Sequence, residues 1–231
     1  MTDGAIVLLG SPGSGKGTLG ALLARRFSVP LVSAGDLLRG AAESDLPAAP
    51  EIGESIEAGT LVDDDVTNKI VRARIRRADC CEGFILDGYP RTVVQARYLS
   101  EFLSSYSFPE AIVLHLDILP EAATARLLSR LECVVCGRSY NVKTRPPAYH
   151  GRCDDDGMPL VRRREDNPVS IRHRIQTYAQ TAIPILEHYQ ALNYHWLNAE
   201  QDPEDLLMEA ESILCPAAEY FTGRLGASAR A

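Results

Sequence analysis

The residues from Gly10 to Thr18 read Gly-Ser-Pro-Gly-Ser-Gly-Lys-Gly-Thr, directly after the apolar run Ala5–Leu9 and ahead of a helical pattern. Glycines at this spacing let backbone N–H groups wrap phosphate oxygens. The lysine adds a point charge at the outer phosphates, and the helix that follows points its positive end at them. The chemistry is therefore nucleoside triphosphate binding, by Gly13, Ser14, Gly15, Lys16, Gly17 and Thr18. The bland reading is a glycine-rich turn that binds nothing. The order strand, loop, lysine, helix argues against it. Gly17 stands where many nucleotide hydrolases place the Ser or Thr that bonds Mg²⁺. The chain has only three lysines (Lys16, Lys69, Lys143), yet it keeps one here, where a compact charge suits a phosphate cradle.

A second constellation carries metal chemistry. Cys133 and Cys136 form a C-x-x-C pair, Cys153 follows, and Asp156 repeats the same two-residue gap. Zn²⁺ accepts thiolate and carboxylate ligands together in a tetrahedral site. Gly137 and Gly157 supply a tight turn after each half. The alternatives are a redox pair or unrelated thiols, and Asp154 and Asp155 also remain open as the fourth ligand. A polar loop this poor in apolar residues needs a staple to hold shape, so a structural role is expected.

The third group is arginine-rich. Ser33-Ala34-Gly35-Asp36-Leu37-Leu38-Arg39 follows one apolar run. Gly83-Phe84-Ile85-Leu86-Asp87-Gly88-Tyr89-Pro90-Arg91 ends another, with Gln95 one turn on. Leu160-Val161-Arg162-Arg163-Arg164-Glu165-Asp166-Asn167 precedes Arg174. Planar, permanently charged guanidiniums suit bidentate phosphate binding. An arbitrary arginine is more often a solvated surface charge. Arg126 and Arg130 are weaker candidates, because they read as part of a plain amphipathic helix.

These residues need a frame. Five short apolar runs, Ala5–Leu9, Pro30–Val32, Gly83–Leu86, Ala111–Leu116 and His195–Leu197, alternate with helical patterns. That predicts a doubly wound α/β fold with a five-stranded parallel sheet and ligand at the strands' C-terminal ends. Helices are predicted over Lys16–Phe27, Asp64–Ala78 and Val169–Tyr189, the last kinked or shortened at Pro184. Two stretches, about 35–75 and 131–167, interrupt the pattern as insertions that could fold over the site. Residues 216–231 are expected to fray.

Composition narrows the class. With 231 residues, 45% hydrophobic and 24% charged, the chain is expected to be a soluble globular protein. No apolar run approaches a membrane span, and the first strand starts too early for a secretory signal. The net charge of −7 opposes nucleic-acid binding as the main role. Six cysteines without a disulfide framework favour a reducing, cytoplasmic location.

Taken together, the loop and the arginine motifs resemble the adenylate kinases in their long bacterial form with a zinc-bearing lid, over roughly residues 5–214. The resemblance implies a P-loop nucleoside-monophosphate kinase fold with two mobile inserted domains. The core would be 1–32, 76–130 and 168–231, the monophosphate-binding domain 33–75 and the lid 131–167. It implies the reaction ATP + AMP ⇌ 2 ADP with Mg²⁺, a structural Zn²⁺ and a monomer. It assigns Arg39 and Arg91 to the monophosphate's phosphate, near Ala34 and Gly88–Tyr89–Pro90. The backbone of Thr60, Leu61 and Val62 and the Gln95 side chain would hold its base. Arg126 and Arg130 would flank the transferring group, and Arg163 and Arg174 would clamp phosphates. Ser139 and Tyr140 would lie near the ATP base and Gln201 would make a backbone contact beside adenine, while Asp87 would orient hydrated Mg²⁺.

The chain departs from the family pattern in places. Ala34 replaces the usual Thr, as in UMP and CMP kinases, which keeps a pyrimidine or broad monophosphate acceptor open. Leu131 replaces a second arginine and Glu165 an aspartate. Pro47 and Pro50 interrupt a stretch that is usually helical. A rival from another class is a nucleotide-binding regulator whose zinc ribbon grips nucleic acid through Arg138, Lys143, Arg145 and Arg152. The run Asp154–Asp156 opposes it.

Overall fold

The computed structural model describes residues 4–190 and 192–222. Five strands, β1 (Gly4–Gly10), β2 (Leu31–Ser33), β3 (Gly83–Asp87), β4 (Ile112–Asp117) and β8 (Tyr194–Asn198), form one sheet in the order β2-β3-β1-β4-β8. Every pairing is parallel. Side chains alternate across a strand, so β1 feeds two cores. Ala5, Val7 and Leu9 join the cluster on one face, and Ile6 and Leu8 the cluster on the other. Burial on both faces explains why the run is continuously apolar.

The chain leaves β1 for β2 and β3 on one side, then crosses to β4 on the other. The crevice beyond Gly10 is thus the topological switch point, where α/β sheets bind ligands. The phosphate loop opens there into α1 (Lys16–Phe27), which buries Leu19 and Leu23 against the sheet.

The first insertion holds α2 (Ala34–Ala42) and α3 (Ala49–Ala58), followed by α4 (Asp64–Ile75). Local chemistry sets their starts. Ser33 Oγ accepts from the Asp36 N–H, and Asp63 caps α4 by accepting from Asp65 and Val66. Pro50 lies in the first turn of α3, where a missing N–H costs nothing, so the prolines separate two helices rather than break one. A small core of Leu38, Ala41 and Ile52 holds the unit. The helix predicted to reach Ala78 stops at Ile75, and Ala78–Cys80 make a 3-10 turn.

After α5 (Val93–Ser105) and β4, helix α6 (Pro120–Leu128) leads into a three-stranded antiparallel sheet. Its strands are β5 (Arg130–Cys133), β6 (Ser139–Asn141) and β7 (Leu160–Val161), in the order β6-β5-β7. Arg130 is therefore a strand residue, not part of the expected helix, because α6 ends at Leu128 and Arg130 pairs with Asn141. α7 (Pro168–Gln190) runs through Pro184 without the expected shortening. α8 (Pro203–Thr222) extends past residue 216, so helix replaces part of the expected frayed tail, and 223–231 lie outside the described residues.

Candidate active site

Two glycines show why the phosphate loop has its sequence. Gly10 has φ +145° and a Cβ there would lie 2.4 Å from the Leu116 carbonyl oxygen; Gly13 has φ +86° and a Cβ would lie 2.6 Å from that of Ala123. The loop is thus pressed against β4 and α6 in a conformation that side chains forbid. Lys16 turns back into the loop, donating from Nζ to the carbonyls of Gly10 (2.8 Å) and Ser11 (2.9 Å). Burial pushes its pKa down to about 8; Asp87 opposes the shift, and Arg91, Arg174 and Arg130 add to it. Asp87, at the end of β3, is held above the usual carboxylate range by burial against the pull of Lys16 and Arg91. A Cβ on Gly17 would stand 3.1 Å from Asp87 Oδ2, so the glycine keeps loop and carboxylate close. A buried acid short of positive charge suits a hydrated divalent cation, and Asp87 with the loop can hold Mg²⁺.

The arginines converge beside this loop, and four of them, Arg39, Arg130, Arg163 and Arg174, are matched by acids. Asp166, fully buried, accepts from Arg130 Nε and Nη2, both at 2.7 Å, and from Arg174 Nη1 at 3.1 Å. Arg163 pairs with Glu132 of β5. Arg39 pairs with Asp36 on its own helix and with Glu165, 3.1 Å away. Burial lowers Arg163 and Arg174 to about 10 each, with Arg130 the next cause in both. Burial also lowers Arg91 and Arg126. Arg91 Nε donates to the Gly88 carbonyl at 2.9 Å, and Arg126 Nη1 reaches the Ser14 carbonyl at 3.4 Å. This is a dense cationic field of mutually repelling guanidiniums, stabilised by carboxylates where phosphates would act more strongly.

Beyond the arginines opens a second cleft. Ala34, Leu38, Ile56, Val62 and Thr67 line it together with Arg39, Arg91, Arg174 and Glu165. Thr60, Leu61, Gly88 and Gln95 also face it. Tyr89 is buried and donates to Asn68 Oδ1 at 2.6 Å, which anchors the Gly88–Arg91 turn from below. Gln95 is less free than the sequence implies. Its Oε1 accepts from Arg91 N (2.7 Å) and its Nε2 donates to Asp64 Oδ1 (2.8 Å).

In the small sheet, Cys133, Cys136, Cys153 and Asp156 bring their ligand atoms within 4.8 Å of one another. Matching turns prepare them: Gly137 N donates to Cys133 O and Gly157 N to Cys153 O, both at 2.9 Å. The other two acids are engaged elsewhere. Asp155 pairs with Arg138, and Asp154 accepts from the Ala148 N–H at 2.8 Å. Three thiolates and one carboxylate at this separation can hold a metal ion, and the donor set suits zinc.

The residues named for the triphosphate base fall less neatly. Tyr140 is buried in the core of the small sheet with Cys133 and Cys153, and its hydroxyl contacts Cys153 Sγ at 3.4 Å. Its ring is thus packing, and only its backbone and the exposed Ser139 remain for a ligand. The Gln201 side chain donates to Glu209 Oε2 at 2.6 Å, which leaves untouched its backbone, the part that the resemblance assigns to adenine. Sequence reasoning passed over three partners of the site. Glu132 sits one residue before Cys133, on the opposite face of β5, and alternation could have flagged it. Asp64 reads only as an acidic first-turn residue, and Thr67 as one more helix position.

A family model described as "Adenylate kinase" matches residues 8–194. An adenylate kinase of Pseudothermotoga lettingae is 38% identical over 210 residues, covering 90% of this chain and 97% of the relative. Those of Bacillus subtilis and Thermosipho africanus are each 36% identical over 210 residues, again 90% of this chain and 97% and 98% of theirs. With a phosphate loop at the switch point, an arginine cage and a second cleft, the chain belongs to the adenylate kinase family.

Proposed function

We propose that the protein catalyses ATP + AMP ⇌ 2 ADP, with ATP at the phosphate loop and AMP in the second cleft. The observation that supports this most is the placement of Arg39, Arg91, Arg130, Arg163 and Arg174 around the space between the two. Phosphoryl transfer between nucleotides needs no covalent nucleophile. It needs in-line alignment, positive charge on the equatorial oxygens and exclusion of water.

In this reading Lys16 leaves the Gly10 and Ser11 carbonyls for the ATP phosphates. Arg39 and Arg91 hold the phosphate of AMP. Arg126, Arg130, Arg163 and Arg174 meet the charge that develops on the transferring group. Each cationic group exchanges an intramolecular carboxylate or carbonyl for a phosphate oxygen, so the site is arranged before substrate arrives. Mg²⁺ would neutralise charge between the ATP phosphates near Asp87. Residues 33–75 act as the acceptor domain and 131–167 as the lid, closing over a core of 1–32, 76–130 and 168–231. Zn²⁺ at Cys133, Cys136, Cys153 and Asp156 holds the lid's shape and takes no part in chemistry. The working unit is a monomer of the cytoplasm, with ATP and AMP as its partners rather than nucleic acid. Among the described residues no helix is long and apolar enough to cross a membrane.

The second reading is a pyrimidine or broad monophosphate kinase, favoured by one observation. Ala34 is buried against the acceptor cleft and offers no hydroxyl. One lost hydrogen bond is worth about 0.5–1.5 kcal/mol, enough to loosen selectivity but not to invert it. A phosphate-acceptor screen with AMP, CMP, UMP and GMP tests the choice. AMP should give the highest kcat/KM, and a higher value for CMP or UMP overturns the first reading.

A further inference from the structure

Thr67 lies in the first turns of α4, is 5% exposed and lines the acceptor cleft. A buried hydroxyl in a helix ordinarily returns its proton to the carbonyl four residues back. This chain does so elsewhere: Thr124 Oγ1 donates to Pro120 O at 2.7 Å and Thr181 Oγ1 to Thr177 O at 3.0 Å. Thr67 has the matching carbonyl at hand, since its own N–H donates to Asp63 O at 2.9 Å, yet among the described residues its hydroxyl makes no such bond. Thr67 Oγ1 is not among the fully enclosed side-chain atoms without a partner, so the hydroxyl is open to the cleft and free to meet a ligand there.

Its surroundings indicate which. The cleft's lining joins the cations Arg39, Arg91 and Arg174 to apolar side chains, of which Leu38, Ile56 and Val62 pack in one cluster with Val66, the residue before Thr67. The other polar side chains there are occupied. Thr60 Oγ1 donates to Ser55 O at 3.3 Å, and both amide atoms of Gln95 are engaged by Arg91 and Asp64. Of these three side chains, the Thr67 hydroxyl is the one that makes no hydrogen bond among the described residues. It lies in the cleft where Ala34 supplies none.

We infer that Thr67 hydrogen-bonds the nucleobase edge of the acceptor monophosphate and is a specificity-determining residue of this enzyme. The inference rests on the placing of the acceptor in this cleft. The residue's role is in binding, not in the transfer step, so it acts on the acceptor's KM and leaves the donor's alone.

The test compares wild type, Thr67→Val, Thr67→Ala and Thr67→Ser, each checked for an unchanged melting temperature. Valine keeps the volume and removes the hydroxyl, whereas serine keeps the hydroxyl. In Thr67→Val the KM for AMP should rise about 2- to 12-fold, the range of a single hydrogen bond, with kcat and the KM for ATP held. Thr67→Ser should stay near wild type. Thr67→Ala covers the case in which valine does not fold. Wild-type AMP kinase activity with an unchanged AMP KM in Thr67→Val, or in Thr67→Ala where valine does not fold, overturns the inference and leaves the activity standing. A wild type that phosphorylates CMP instead of AMP overturns the activity, and the same variants titrated with CMP then decide on Thr67.

Discussion

The Asp166 carboxylate holds the Arg130 guanidinium by two parallel hydrogen bonds of 2.7 Å, one to Nε and one to Nη2. This fork geometry fixes both the position and the plane of the arginine. Asp166 is fully buried, and Arg174 bonds it as well. One carboxylate thus sets two cations, the pair proposed above to meet the charge on the transferring group. Burial lowers Arg174 and the Arg130 charge adds to it, while the Asp166 carboxylate bonded to both opposes the shift.

Asp166→Asn keeps the shape and removes the charge. Breaking a buried ion pair by removing one partner costs about 3–5 kcal/mol, so the melting temperature should fall. Misplacing transition-state donors should lower kcat about 10²-fold or more. Steady-state assays with both nucleotides saturating and a thermal melt check both. A kcat within threefold of wild type would show that Asp166 does not position the arginines for catalysis.

Lys16 gives a pH signature. Its pKa near 8 means that the free enzyme loses the loop's ammonium as pH rises through that value. Only the charged form attracts phosphate, so kcat/KM for ATP, which reports free enzyme, should decline above about pH 8. Bound phosphate raises the lysine's pKa, so kcat should stay flat over the same range. The stability sign runs the other way. A lysine lowered from 10.5 to about 8 on folding makes the folded state bind fewer protons in that window, so stability should rise with pH there. Parallel declines of kcat and kcat/KM would place the titrating group elsewhere.

How much of this was legible in the residues varies with the kind of information. The parallel sheet was legible because strands buried on both faces read as unbroken apolar runs, and α1 because Leu19, Leu22, Leu23 and Phe27 recur at helical spacing. The phosphate loop was legible because its glycines answer to local backbone geometry at Gly10 and Gly13. The pairing of Arg163 with Glu132 and of Arg39 with Glu165 was not, since each joins residues far apart in sequence. Gln95 and Tyr140 show the same limit. A motif names the residue, while packing decides whether its side chain is free.

The lid cluster predicts metal dependence. Cys133 and Cys153 are buried within a core of only a few residues, so a bound ion would supply much of what holds the small sheet together. Purified protein should carry about one zinc per chain, as structural sites do. Cys136→Ser, which alters an exposed ligand, should lower both zinc content and melting temperature. Elemental analysis of unchelated protein finding no zinc would remove the metal from the account.

His115 offers the last prediction. It lies buried in β4 with each ring nitrogen bonded to a tyrosine hydroxyl: Nδ1 to Tyr194 of β8 at 2.7 Å and Nε2 to Tyr178 of α7 at 2.8 Å. A neutral ring satisfies both by donating once and accepting once, whereas a protonated ring can only donate. Burial lowers its pKa below 6.5; Asp117 opposes this and Lys16 adds to it. A histidine with a depressed folded pKa contributes stability that is present above the unfolded value and lost as pH falls below it. The bond to Tyr178 ties α7 to the sheet and the bond to Tyr194 links β4 to β8, so the loss should be felt across the fold. Wild type should lose melting temperature between pH 7 and 5 more steeply than His115→Phe, which is less stable throughout but has nothing to titrate there. His188, also lowered by burial, is common to both proteins and drops out of the difference. Equal slopes for the two proteins would show that His115 takes up its proton as readily in the folded chain as in the unfolded one, which defeats the prediction.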